Sequence, residues 1–152
     1  MPISVILVDD HEVVRDGLRH LVEAQPDLRF LGGFSDGGAA VRFASSAHPD
    51  VAIVDIAMPR MNGIEVTRQI HDVSPETEIL ILSMHADPEF VYQAFRAGAR
   101  GYVIKESAGA EVVNALRALH GGERYVSQRI DAAALERYLR GRGEDNPIER
   151  LS

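Results

Sequence analysis

Short runs of consecutive apolar residues alternate along most of this chain with longer stretches whose apolar residues recur every three or four positions. The runs 3–8, 51–54, 78–82 and 101–104 are rich in Val, Ile and Leu and too short for helices, so they predict strands buried on both faces. Leu28-Arg29-Phe30-Leu31 predicts a weaker second strand, closed by Gly32-Gly33. The intervening spacing predicts helices near 12–24, 37–47, 64–73, 87–97 and 108–120. The first places Val13, Val14, Leu18, Leu21 and Val22 on one face and ends at Pro26-Asp27. Asp36 is a candidate cap for the second, and Pro59 and Gly63 frame the loop before the third. Gly121-Gly122 stops the fifth. Five strands and five helices in strict alternation are βα units around a parallel sheet.

Right-handed crossovers and two covered faces leave few topologies. The expected class is α/β, a flavodoxin-like (βα)5 doubly wound parallel sheet with strand order 2-1-3-4-5. Strands 1 and 3 are then neighbours, and the crevice outside their carboxyl ends is the switch point where such folds bind ligands. Asp9-Asp10 follow strand 1, Asp55 ends strand 3, Ser83 ends strand 4 and Lys105 ends strand 5. Parallel strands point these ends the same way, so three carboxylates, a hydroxyl and an ammonium converge.

Such a set can hold a divalent cation and a phosphoryl group together. Three carboxylates repel one another unless a proton or a cation shares them. Mg²⁺, or Mn²⁺, prefers oxygen ligands. Asp10 and Asp55 are its expected direct ligands, Asp9 a direct or water-mediated one, and the carbonyl of Ala57 a third protein ligand. Asp55 is the candidate nucleophile, since carboxylates form aspartyl phosphates. Lys105 and the Ser83 hydroxyl are candidate partners for phosphoryl oxygens. Lys105 is also the chain's one lysine, although Lys and Arg total 16; a compact ammonium suits that place. Taken singly, each residue has a plainer reading: Asp9-Asp10 as a helix cap, Asp55 as turn chemistry before Met58-Pro59, Ser83 as a cap, Lys105 as a surface residue. Solvation does not explain all of them together at strand ends. The six histidines include no i, i+4 pair, which argues against a histidine metal site.

Net charge adds one constraint. The chain carries −7, all of it within residues 1–120; residues 121–152 hold six acids and six bases. A surface this acidic excludes DNA binding by the first domain itself. There is no cysteine, hence no disulfide framework or thiolate chemistry. No apolar run approaches the ~20 residues of a membrane span, so a cytoplasmic protein without membrane contact is expected. Residues 1–122 are expected to form one domain. Residues 123–147 read as a linker with a helix at about 128–140, the stretch 141–147 being flexible, and 148–152 as the start of a further domain.

Residues 3–120 resemble the receiver domain of two-component response regulators. The resemblance rests on Asp9-Asp10, Asp55 with Met58-Pro59 and Asn62-Gly63, Ser83, and Gly101-Tyr102 ahead of Lys105. Asp9-Asp10-His11 followed by Val14-Arg15, with Ser83-Met84-His85, is similar to the NarL/FixJ (LuxR-type) subfamily of transcriptional regulators. The resemblance implies that Asp55 accepts phosphate from a sensor histidine kinase. It implies that Ser83 and Tyr102 form a switch pair, the hydroxyl moving to the phosphoryl group while the ring turns inward. The surface of the fourth helix, fifth strand and fifth helix then changes, controlling homodimerisation and a DNA-binding domain that would follow Ser152. Ala57 and His85, two residues beyond Asp55 and Ser83, would flank the attacking water in dephosphorylation. Ala57 cannot orient that water, so fast self-dephosphorylation through it is not expected. Glu106 stands where many receivers have proline, so the loop after Lys105 is expected to differ.

The resemblance implies a regulatory phospho-acceptor rather than an enzyme. Two readings compete with it: a receiver that acts as a scaffold without phosphorylation, and an aspartyl-phosphate phosphohydrolase. Haloacid-type phosphohydrolases carry a second acid two residues after the nucleophile, where this chain has Ala57. A nucleotide- or flavin-binding domain would need a phosphate cradle after strand 1, where this chain is anionic.

Overall fold

The computed structural model describes residues 2–58 and 62–144. Strands β1 (Ile3–Val8), β2 (Leu28–Phe34), β3 (Val51–Asp55), β4 (Glu78–Ser83), β5 (Gly101–Ile104) and β6 (Tyr125–Val126) form one parallel sheet in the order β2-β1-β3-β4-β5-β6. The helices are α1 (Glu12–Glu23), α2 (Gly37–Ala47), α3 (Gly63–Val73), α4 (Pro88–Ala97), α5 (Ala108–His120) and α6 (Ala132–Glu144). The flavodoxin-like order holds, and β6 extends it by one short strand beyond the five expected.

Alternation along each strand builds two cores, one per face of the sheet. Ile6, Val8, Ala52, Val54, Ile79, Ile81 and Tyr102 pack with residues of α2, α3, α4 and α6. Val5, Leu7, Val51, Ile53, Leu80, Leu82 and Val103 pack with α1 and α5. Each fully buried Val, Leu or Ile contributes about 1.5–3 kcal/mol, so the central strands carry much of the stability. At the amino end of the sheet, Asp50 Oδ2 accepts from the Ser4 N–H and hydroxyl at 2.9 and 3.1 Å, and the Asp50 N–H donates back to Ser4 Oγ at 2.8 Å. This pins the register of β1 against β3.

Three elements differ from the sequence reading. β2 runs through Gly32 and Gly33 to Phe34, because its pairing with β1 continues to Val8, with a register shift between Val5 and Ile6 that leaves Leu31 unpaired. Tyr125-Val126 pairs with Gly101-Tyr102 as a strand rather than merely leading into a helix. The helix expected at 128–140 begins at Ala132, where Asp131 Oδ1 accepts the Ala134 N–H at 3.0 Å, and continues to Glu144 through two glycines assigned to a flexible linker. Residues 145–152, where the rest of that linker and a following domain were expected, lie outside the described residues. Among the described residues no helix is long and apolar enough to cross a membrane.

α6 folds back onto the sheet's α4 side. Ile130 and Leu135 are 5% and 3% exposed and belong to that core. The Tyr92 and Tyr138 rings meet edge to face at 5.1 Å. Glu111 of α5 accepts from the Tyr125 and Ser127 hydroxyls at 3.1 Å each, tying β6 and the following turn to the domain.

Candidate functional site

The carboxyl ends of β1, β3, β4 and β5 bring the expected residues to one edge. Asp9 follows β1 and is fully buried; its N–H donates to Phe34 O of β2 at 2.9 Å, which fixes its entry angle. Asp10 beside it is 26% exposed. Asp55, the last residue of β3, is 1% exposed. Its Oδ1 accepts the Ala57 N–H at 3.2 Å and its Oδ2 accepts from Lys105 Nζ at 3.2 Å. Lys105 Nζ also lies 3.6 Å from Asp9 Oδ2, so the one ammonium serves two buried carboxylates. Burial pushes the Asp55 carboxyl above its usual range. The Ala57 N–H opposes that shift, the Asp9 charge adds to it, and Lys105 opposes it.

The negative charge is not fully answered. Asp9 Oδ2 and Asp10 Oδ1 are buried without a hydrogen-bond donor. One donor atom each from Asp9, Asp10, His11 and Asp55 lies within 4.8 Å of all the others. Orphaned carboxylate oxygens around a small gap fit a divalent cation with oxygen ligands, so Mg²⁺ suits these residues.

Ser83, at the end of β4, is fully buried, and its Oγ accepts the His85 N–H at 3.0 Å. Tyr102 is fully buried, and its hydroxyl donates to His85 O at 2.9 Å. Burial raises its pKa, with an opposing effect from Ser83. The two residues of the expected switch pair are thus tied to the same backbone, that of His85. The His85 ring lies 4.5 Å from the Phe90 ring on α4, and both line a cavity together with Ile56, Ala57 and Ile64. After Lys105 the chain makes a 3-10 turn, Lys105–Ser107, and Glu106 ion-pairs with Arg129 ahead of α6.

Two residues that the sequence motifs include take site roles that the sequence does not assign them. Gly63 opens α3 against the end of β3: a Cβ there would meet Asp55 O and Ile56 Cα at 2.5 Å each. His11 turns its ring over the carboxylates, with Nδ1 2.9 Å from Asp9 Oδ1, 3.3 Å from Asp10 Oδ1 and 3.8 Å from Asp55 Oδ2. Its adjacency to the acidic pair was the available signal, but a search for paired histidines passes over it.

Residues 5–117 match the family described as response regulator receiver domain. The chain is 41% identical over 151 residues to the transcriptional regulatory protein LiaR of Bacillus subtilis, covering 99% of this chain and 71% of that protein. It is 38% identical over 151 residues to the DNA-binding transcriptional activator DevR/DosR of Mycobacterium tuberculosis, covering 99% of this chain and 69% of the relative. Against DegU of Brevibacillus brevis, 30% identical, it spans 94% of this chain but only 61% of the relative. Among solved structures, a LuxR-family two-component response regulator from an Aurantimonas species superposes with a TM-score of 0.83 at 38% identity, covering 91% of this chain and 98% of that one.

Proposed function

We propose, for a chain that belongs to the response regulator receiver family, that Asp55 is the phospho-acceptor of a phosphorylation-dependent signalling switch. One observation carries this reading: the Asp55 carboxylate is buried at the sheet's carboxyl edge, within reach of both Lys105 and an acidic cluster with orphaned oxygens. A sensor kinase phosphohistidine is the donor. The phosphorus–nitrogen bond breaks, a bond from an Asp55 oxygen to phosphorus forms, and the imidazole leaves. Asp10, Asp55 and the Ala57 carbonyl would hold Mg²⁺ (or Mn²⁺), with Asp9 direct or through water, and the ion would supply positive charge against the phosphoryl oxygens. Lys105 takes a second oxygen, for which a point charge is enough. Ser83 donates its hydroxyl to a third.

The output follows from what Ser83 releases. When its hydroxyl turns to the phosphoryl group, the bond to the His85 N–H is lost and the turn leading into α4 is freed to move. Tyr102 already stands inward, so its ring holds the other side of that turn through His85 O. α4 carries α6 on its surface, so the α4–β5–α5 face and the linker helix respond together. That response controls homodimerisation and a DNA-binding output domain beyond this chain, in the cytoplasm. Residues 1–122 form the receiver and 123–147 the connection to that output. The chain is regulatory, assisting only its own phosphorylation and dephosphorylation, the latter past Ala57 and His85.

The test is intact mass after incubation with a small phosphodonor and Mg²⁺, beside Asp55→Asn. One added phosphoryl group in the wild type alone, abolished by chelator, is the expected result. The absence of an adduct, with none trapped at short times either, overturns the reading in favour of a phosphorylation-independent scaffold.

A further inference from the structure

His11 occupies the position before the first turn of α1, where a side chain ordinarily caps the helix amides. It makes no such bond. Its ring instead leans over the carboxylates, presenting Nδ1 to Asp9, Asp10 and Asp55 at 2.9, 3.3 and 3.8 Å. Ligand atoms in adjacent positions around one small ion stand about 3 Å apart, and opposite ones about 4 Å. The spacing of Nδ1 from the three carboxylate oxygens falls in that range. Of the two buried oxygens without a hydrogen-bond donor, Asp10 Oδ1 is one of the three that Nδ1 faces. Charge points the same way: three carboxylates face one ammonium, so a divalent ion with a neutral imidazole closes the balance.

We propose that His11 is a nitrogen ligand at this centre, so that the site takes an imidazole-preferring first-row ion, such as Ni²⁺ or Zn²⁺, as well as Mg²⁺. Magnesium keeps to oxygen donors and gains little from an imidazole, whereas Ni²⁺ and Zn²⁺ gain strongly. The consequence is selectivity: which ion loads the phospho-acceptor site depends on His11. This rests on the cation reading of the same site.

The experiment measures Ni²⁺ and Mg²⁺ binding calorimetrically in the wild type and in His11→Ala, counting only the Ni²⁺ that excess Mg²⁺ displaces. That competition separates the site from the other histidines. The ring is 57% exposed, so the substitution leaves the fold intact. The expected result is a ratio of Ni²⁺ to Mg²⁺ affinity that falls about tenfold or more in the variant. A contact shift of the His11 ring protons, which requires a nitrogen–nickel bond, is expected with Ni²⁺ in the wild type. Mg²⁺ binding with an unchanged affinity ratio overturns the proposal and makes His11 a counter-charge only. No Mg²⁺ binding in the wild type overturns the cation reading itself.

Discussion

Gly63→Ala tests how tightly the loop after Asp55 is closed. Gly63 lies outside the left-handed backbone region, so its need for glycine is one of space alone. The added Cβ would lie 2.5 Å from Asp55 O, 2.5 Å from Ile56 Cα and 3.0 Å from Asp55 C. Ordinary carbon contacts need about 1 Å more. The obstructing atoms are backbone and cannot swing aside. Asp55 pairs with Leu82 of β4, the Ile56 N–H donates to Leu82 O at 3.0 Å, and the Gly63 N–H donates to Ile56 O at 2.9 Å. Forced overpacking of this kind costs about 1–3 kcal/mol. The helix-propensity gain of alanine is at most about 1 kcal/mol, and smaller in the first turn, so the cost wins. Gly17→Ala is the control: it lies exposed in the middle of α1 with nothing within 4 Å of the new Cβ. That change is expected to stabilise by about 0.5–1 kcal/mol. Urea titration reads both stabilities. A displacement of about 1 Å at a reacting group can cost about 100-fold in rate, so phosphoryl incorporation at Asp55 in folded Gly63→Ala is expected to slow toward that extent. A Gly63→Ala protein as stable as wild type would refute the reasoning.

Two further outcomes are expected. Asp55→Asn should be more stable than wild type at neutral pH by about 0.5–2 kcal/mol, because an active-site charge held against burial costs stability. The sign follows from the raised pKa: between 3.8 and that raised value the folded state holds more proton than the unfolded one, so wild-type stability falls as pH rises through the window. The advantage of Asn should therefore shrink on acidification to about pH 4, and equal urea midpoint differences at both pH values would refute it. Leu135→Ala should remove about 2–3 kcal/mol of α6 docking, since Leu135 is 3% exposed. Hydrogen exchange is expected to rise along α6 while the protection of β1, β3 and β4 holds; a uniform loss across the sheet would contradict local release.

The central sheet was legible because both of its faces are buried. Continuous Val, Ile and Leu runs have few other readings, and the polar residues closing them fell at the sheet edge once strand order was assigned. The two strand misses share a cause: each depends on contacts distant in sequence, whereas the start of α6 is set by a local cap. β2 passes through Gly32-Gly33 because β1 supplies pairing partners for both, overriding the weak strand propensity of glycine. β6 has only two residues, and its strand character comes from β5. α6 starts at Ala132 because Asp131 caps it, although Asp131 was read as lying inside the helix; its two glycines are tolerated by a helix that packs at Leu135 and Tyr138. At the site, residue types announced Asp9, Asp10, Asp55 and Lys105. The close approach of Gly63 and the turned ring of His11 carry no compositional signal, since both depend on where another strand's backbone or carboxylates sit.

Among the connections that join the Asp55 edge of the sheet to α6, two differ in their physics. One is the Glu106–Arg129 ion pair, which links the residue after Lys105 to the turn before α6. Both side chains are more than half exposed, so the pair contributes about 0–1 kcal/mol and is screened by salt. The other runs from Ser83 through the backbone of His85, whose ring meets Phe90 on α4, and from α4 to α6 by the Tyr92–Tyr138 contact and the buried Leu135. Burial at that contact is worth several times the ion pair and is indifferent to ionic strength. In the proposed switch the packed route would therefore carry most of the coupling. The bond from the His85 N–H to Ser83 Oγ is the link that would exchange partners if Ser83 turns toward Asp55, while Tyr102 holds the same residue through its carbonyl. A packed helix pair has discrete arrangements rather than a continuum, so the proposed loss of that hydrogen bond would favour a second position of α4 and, with it, of α6.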